Sequence, residues 1–284
     1  MMDVNEFGDY KTAWCPGCGN FPLLKCLKQA LANLDLHPHQ LLVVSGIGQA
    51  AKAAHYINAN IFNGLHGRFL PVATGAKLAN PDLTVIAESG DGCTYGEGGN
   101  HFLAAIRRNI DITLIVHNNQ VYGLTKGQAS PTTDKGQFTP AQPGGVALTP
   151  FNPLAVAVAL KAGFVARSFV GWEEHLIDMI EKAVTHNGFS LLDVLQPCVS
   201  FNHVNTYAWY NDRCKHLPAE YDPENWAKAI QMSEQWGEGI PVGVIYKNDT
   251  PPYEKNFPAI AEKPLVHSGV NRQTLKDTIE RVYR

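Results

Sequence analysis

Residues 83–120 read LTVIAESGDGCTYGEGGNHFLAAIRRNIDITLIVHNNQ. Leu83 to Ala87 is a short apolar run that predicts a buried strand, and Gly90-Asp91-Gly92 follows it as a turn. His101 to Arg108 repeats apolar residues at spacings of three and four, the period of a helix, and Ile112 to Val116 predicts a second strand. A strand, a helix and a strand in this order form a unit whose two strands lie parallel. Asp91 and the pair Asn118-Asn119 then arrive at neighbouring strand ends, with 25 residues between Gly92 and Asn118.

Outward from this unit the same alternation continues. Leu41 to Ser45, Phe164 to Val170 and Leu191 to Leu195 predict further buried strands, while Phe21 to Leu34, Pro153 to Ala162 and Trp172 to His186 have helical periodicity. The expected fold is α/β, a doubly wound and mostly parallel sheet with helices on both faces. Ser45-Gly46-Ile47-Gly48 gives a second glycine turn after a strand, and open sheets of this kind bind ligands at the carboxyl ends of their strands. Gly123 to Pro153 is too long for an ordinary connection and reads as a functional loop. We expect residues 1–216 to form one domain and residues 217–284, with weaker alternation, to be an extension packed on it or on a partner.

The chain has 284 residues and 45% hydrophobic content, enough for a sizeable core. Only 17% of residues are charged, against about 25% in an average soluble protein, which suggests burial against partner chains. With 23 basic and 26 acidic residues the formal charge is -3, so no basic field is available for nucleic acid. The longest charge-free stretch, Gly136 to Leu160, contains four prolines and does not read as a membrane span. The first fourteen residues carry Asp3, Glu6 and Asp9 and no apolar block, so the expected compartment is cytoplasmic, where thiols stay reduced.

An Asp and an Asn at adjacent strand ends offer oxygens that suit a hard divalent cation, and the glycines let backbone N–H groups approach phosphate. A GDG triplet alone is a common tight turn. Together with Asn118-Asn119 it resembles the thiamine-diphosphate motif, which implies that Asp91, Asn119 and the carbonyl of Val121 hold Mg²⁺ on the diphosphate. Trp14-Cys15-Pro16-Gly17-Cys18-Gly19 places two thiols three positions apart, a spacing shared by zinc, iron–sulfur and dithiol sites. Thioredoxin-like chemistry wants a strand before this motif, and a zinc ribbon wants a second nearby cysteine pair; this sequence offers neither.

Read with Leu65-His66-Gly67-Arg68, Ala73 to Pro81, Gly99-Asn100-His101, Arg107-Arg108-Asn109 and the run from Tyr122 to Thr133, the chain from about Trp14 to Cys198 resembles the β subunit of 2-oxoacid:ferredoxin oxidoreductases, in the 2-oxoglutarate or broad-range branch. The resemblance implies a cofactor site comprising Ile47, Gly48, Gln49, His66, Gly90, Asp91, Gly92, Cys93, Asn119, Val121, Gly123 and Leu124. It also implies a [4Fe-4S] cluster on Cys15, Cys18 and Cys198. Gln49 stands where the family has its fourth cysteine, and Cys93 is the expected replacement. A Gln49 oxygen ligand, a non-protein ligand and loss of the cluster are the alternatives. Cys26 and Cys214 are expected to be ordinary core or unassigned residues. His66, Lys52 and Lys126 are carried over as residues near the reacting groups, although a lone His or Lys on a loop is usually solvated. Arg107 and Arg108 read as a solvated or intersubunit helix end.

The implied reaction is oxidative decarboxylation of a 2-oxoacid, 2-oxoglutarate favoured, with coenzyme A as acyl acceptor and ferredoxin as electron acceptor. Thiamine enzymes also need a carboxylate against the aminopyrimidine ring, and this chain has no room for the domain that carries it. An α subunit is therefore expected, in an αβ heterodimer or a dimer of heterodimers. Two other readings stay open on the residues: a non-oxidative thiamine-dependent decarboxylase or synthase subunit, and a zinc-stabilised interaction module without enzymatic activity.

Overall fold

The structure is a computed structural model that describes residues 2–269 and 271–283. Its strands are β1 (Leu41–Ser45), β2 (Asn60–Asn63), β3 (Thr84–Gly90), β4 (Thr113–Asn118), β5 (Val121–Tyr122), β6 (Gln128–Ala129), β7 (Phe164–Phe169), β8 (Ser190–Leu195), β9 (Cys214–His216) and β10 (Ile240–Lys247). The α-helices are α1 (Asn20–Asn33), α2 (Phe69–Ala79), α3 (Gly99–Arg108), α4 (Pro153–Ala159), α5 (Glu173–Thr185), α6 (Tyr207–Arg213), α7 (Trp226–Ser233), α8 (Pro258–Glu262) and α9 (Arg272–Val282). Eight strands form one sheet in the order β2-β1-β3-β4-β8-β7-β10-β9, and β5 and β6 form a separate hairpin.

The six strands from β2 to β7 are parallel, whereas β10 runs antiparallel to β7 and parallel to β9. The sequence expectation of a mostly parallel sheet covered on both faces holds because the central strands β4, β7 and β8 are buried along their whole length. On one face Leu23, Leu27 and Leu31 of α1 join Leu176 and Ile180 of α5 over the sheet. On the other, Phe69 of α2, Phe102 and Ile106 of α3 and Leu154 of α4 form the second apolar layer.

The helix expected over Pro153 to Ala162 ends at Ala159. Lys161 takes a left-handed backbone (φ 56°), and the amides of Lys161 and Ala162 turn back to the carbonyls of Val158 and Ala157. That closing pattern satisfies the last carbonyls of the helix and stops it. Helix α2 and strand β2 are additions to the sequence reading. Strand β2 is exposed at all four positions on the sheet edge, so it lacks the apolar signal of a buried strand. Beyond residue 216 the chain returns to the sheet, where β10 lies between β7 and β9. Among the described residues, no helix is long and apolar enough to cross a membrane.

Candidate active site

Strands β1, β3 and β4 are neighbours, so their carboxyl ends bring Ser45, Gly90 and Asn118 side by side. A cavity of about 210 Å³ opens there. Residues expected from the sequence to bind cofactor line it together: Ile47, Gly48 and Gln49 after β1; His66 after β2; Gly90, Asp91, Gly92 and Cys93 after β3; Asn119, Val121, Gly123 and Leu124 after β4. Cys15, Cys18 and Cys198 line the same cavity. Lys52 and Lys126 are not among the lining residues. Arg107 and Arg108 are exposed in the last turn of α3.

Asp91 is 1% exposed. Its Oδ2 accepts hydrogen bonds from the hydroxyls of Ser130 (2.5 Å) and Thr132 (2.6 Å), both from the long loop after β6. Burial nevertheless dominates and pushes the Asp91 carboxyl up to about 6, against the opposing pull of these two hydroxyls and the Gly92 amide. A buried carboxylate that three donors do not fully stabilise is a group suited to a cation. Gln120 reverses the chain beyond β4 with a left-handed backbone (φ 57°), which lets both Asn119 and Val121 reach the cavity. Its side chain pins that turn by donating to the Thr132 carbonyl (2.7 Å) and accepting from the Tyr210 hydroxyl (3.0 Å). Asn119 Oδ1 accepts the Val121 amide proton at 3.1 Å, closing a local turn.

The His66 ring is oriented by Glu97. Its Nε2 lies 2.8 Å from Glu97 Oε2 and, facing a carboxylate, carries the proton. Glu97 also accepts from the Tyr122 hydroxyl at 3.0 Å. The other ring nitrogen, Nδ1, is buried and has no hydrogen-bond partner. The sequence reading missed Glu97 as an orienting group. It sits six residues after Asp91 in a π-type turn over Gly92–Glu97, a local geometry that apolar periodicity does not announce.

The cysteine segment is tied to the same strand ends. Trp14 Nε1 donates to the Gln49 carbonyl at 2.8 Å, and the Trp14 ring packs edge-on against Phe21 and Tyr56. Burial pushes the Cys18 thiol up to about 11, and the nearby Cys198 and Cys15 add to the rise. Gln49 Oε1 is buried without a partner. Cys93 is 2% exposed, and its Sγ accepts the Gly67 amide proton at 3.2 Å. Gly46 leaves room for that sulfur, since a Cβ there would stand 2.5 Å from it. Cys26 and Cys214 are buried elsewhere in the core.

Residues 42–194 match the family model of the thiamine pyrophosphate enzyme C-terminal TPP binding domain, and residues 198–262 match that of the C-terminal part of the pyruvate ferredoxin oxidoreductase β chain. The chain is 46% identical over 247 residues to 2-oxoacid:ferredoxin oxidoreductase 1, subunit beta, of Aeropyrum pernix, covering 83% of this chain and 77% of that protein. The chain belongs to the β subunits of 2-oxoacid:ferredoxin oxidoreductases. It is therefore a subunit of an enzyme that has at least one further chain. It is also 37% identical to the 2-oxoglutarate synthase subunit KorB of Archaeoglobus fulgidus, over 85% of this chain and 89% of that one. A solved 2-oxoglutarate:ferredoxin oxidoreductase from Magnetococcus marinus, with 2-oxoglutarate, coenzyme A and succinyl-CoA bound, superposes with a TM-score of 0.91 at 31% identity, covering 98% of this chain and 96% of that chain.

Among the described residues, no three His, Cys, Asp or Glu side chains are close enough to share one metal ion. This bears differently on the two metal groups the family implies. A magnesium on a diphosphate takes only part of its oxygen ligands from protein, so Asp91, Asn119 and a backbone carbonyl suffice with phosphate and water completing the set. A four-iron cluster is a body several atoms across, and its thiols must ring a cavity instead of meeting at a point. Four of the six cysteines line one cavity here, so the donor set has the right chemistry for the cluster.

Proposed function

We propose that this β subunit holds the diphosphate half of the active site for oxidative decarboxylation of a 2-oxoacid, 2-oxoglutarate in particular, with coenzyme A as acyl acceptor and ferredoxin as electron acceptor. The observation that carries this reading is that one cavity collects both an oxygen set (Asp91, Asn119 and Val121) and four cysteines (Cys15, Cys18, Cys93 and Cys198). A thiamine enzyme without electron transfer has no use for that second set.

In this reading the Asp91 carboxylate, the Asn119 side-chain oxygen and the Val121 carbonyl would hold Mg²⁺ on the cofactor's diphosphate, and Gly90, where the nearest atoms would stand 3.9 Å from a Cβ, leaves its backbone open to phosphate. Thiamine diphosphate, when bound, supplies the nucleophilic carbon and the electron sink that decarboxylation of a 2-oxoacid requires. Ser130 and Thr132 keep Asp91 in place by donating to its Oδ2. His66, oriented by Glu97 through Nε2, presents Nδ1 as a hydrogen-bond acceptor beside the reacting groups. Lys52 and Lys126 act from outside the cavity lining, on the substrate carboxylate or on coenzyme A. Cys15, Cys18 and Cys198, with Cys93 as fourth ligand, would hold a [4Fe-4S] cluster, which would supply one-electron redox chemistry beside the cofactor cavity. The α subunit supplies the carboxylate for the aminopyrimidine ring.

The test is anaerobic purification of the chain with its partner subunit, followed by iron and acid-labile sulfide analysis and an assay of ferredoxin reduction that requires both 2-oxoglutarate and coenzyme A. Four irons per β chain and strict dependence on both substrates are expected. A colourless preparation that still decarboxylates 2-oxoglutarate would refute the oxidative reading. Cys93→Ala should lower the iron content, and unchanged iron would remove Cys93 from the ligand set and leave Gln49 as the residue to examine.

A further inference from the structure

Helix α9, near the end of the chain, buries none of its residues. It is nevertheless a well-made helix. Asn271 caps it by accepting the amide protons of Gln273 and Thr274 at 3.0 and 3.1 Å, and one turn on Gln273 Nε2 donates to Asp277 Oδ1 at 2.7 Å. Leu275, Ile279 and Val282 stand four and three positions apart, so they share one face of the helix. Their side chains are 53%, 49% and 62% exposed, and Tyr283, 83% exposed, extends the stripe. The opposite face carries Gln273, Asp277 and Glu280.

An isolated helix shorter than about 12–15 residues is marginal in water, and most of a helix's stability in a protein comes from packing its apolar face. α9 has 11 residues and packs that face on nothing in this chain. Its cover therefore comes from another chain. A second copy of α9 is too small a cover. The four side chains of the stripe leave roughly 300 Å² to bury. Two copies would bury roughly 600 Å² together, about half of what the smallest specific and stable interfaces need. The stripe works only as an extension of a larger interface, and the chain has one by its family: it is a subunit of an enzyme with at least one further chain. We propose that α9 is a C-terminal clasp that lays Leu275, Ile279 and Val282 into an apolar groove of the partner subunit, adding to the main interface between the two chains.

The clasp rests on membership of a multi-chain enzyme and not on the ligands assigned to the cofactor cavity, so iron content and cofactor binding test that assignment separately. The experiment is a dilution series of the full chain, co-purified with its partner subunit, followed by sedimentation velocity. The double variant Leu275→Glu/Ile279→Glu should raise the Kd between the two chains at least tenfold, whereas Asp277→Asn on the opposite face should leave it unchanged. A chain ended at Gly269 should match the double variant, which shows that the loss comes from a missing contact and not from the new charges. An unchanged Kd in the double variant or in the shortened chain would overturn the proposal. So would a variant that keeps its partner subunit but loses a second copy of the whole pair, because the stripe would then meet that copy. A lower melting temperature of the double variant without its partner, relative to wild type without its partner, would place the stripe against this chain's own surface and overturn it as well.

Discussion

Replacing Asp91 by Asn should raise the stability of the cofactor-free protein and abolish its stabilisation by Mg²⁺ and thiamine diphosphate. The two effects have opposite signs and one cause. Burial moves the Asp91 carboxyl from its ordinary 3.8 up to about 6. The native state therefore holds this proton more tightly than the unfolded chain does, so the associated stability is full below pH 3.8 and is lost as pH rises through 6. At pH 7.5, with no cation present, the ionised group costs on the order of 3 kcal/mol, from 1.36 kcal/mol per pH unit. An amide of the same shape removes that cost but accepts more weakly from the Ser130 and Thr132 hydroxyls, a loss of about 1 kcal/mol. The net gain is about 2 kcal/mol, a rise in melting temperature of roughly 4 °C for a chain of this size. Wild-type protein with Mg²⁺ and cofactor at a hundredfold excess over Kd should gain about 2.7 kcal/mol, and the variant should gain nothing. Scanning calorimetry of the co-purified subunits, with and without Mg²⁺ and cofactor, reads both effects. A lower melting temperature for the cofactor-free variant together with a preserved ligand-induced rise would refute the reasoning, since that is how a purely structural aspartate behaves.

Thr132→Val removes one donor to Asp91 without touching the cofactor cavity lining, and should weaken Mg²⁺-dependent cofactor binding by about 10–100-fold, the usual effect of losing a group that orients a metal ligand; calorimetric titration measures it. Gly46→Ala would put a methyl 2.5 Å from Cys93 Sγ, 2.7 Å from Ser89 Oγ and 3.1 Å from Phe69 Cδ1, and overpacking of this kind should cost about 1–3 kcal/mol in chemical denaturation. His175 has its pKa lowered from 6.5 to about 4, first by burial and then by the neighbouring His216. The unfolded chain takes up this proton first, so stability falls as pH drops from 6.5 to 4. With the ring partly exposed and screened, the loss is on the order of 1–2 kcal/mol. His175→Gln should flatten that part of the stability profile, and an unchanged slope between pH 6.5 and 4 would show that His175 does not set it.

What the sequence made legible follows from which interactions are local. β1 is expected and found at Leu41–Ser45, and the other four expected strands lie within a few residues of their predicted limits, because each is an apolar run buried on both faces. The exposed edge strand β2 and the antiparallel β10 depend on where the chain returns in space, which composition does not encode. The same division runs through the active site. Gly90-Asp91-Gly92 and Asn119 announce themselves at the ends of apolar runs, Cys15, Cys18 and Cys198 through a family motif, and Cys93 only through its place directly after the Asp91 turn. By contrast, the orienting partners come from turns and loops. Glu97 reaches His66 through a π-type turn, and Ser130 and Thr132 reach Asp91 across 39 and 41 positions. Outside that site, Arg167 is hidden inside a run that reads only as a strand. Arg167 shows why such groups escape a periodicity argument. Within Phe164–Phe169 every position is buried, so an arginine there breaks the apolar pattern without signalling what accepts its hydrogen bonds. Only the three-dimensional arrangement shows that Asp193 already accepts from Tyr95 and Asn118, and that Nε and Nη1 of the guanidinium are buried without a partner.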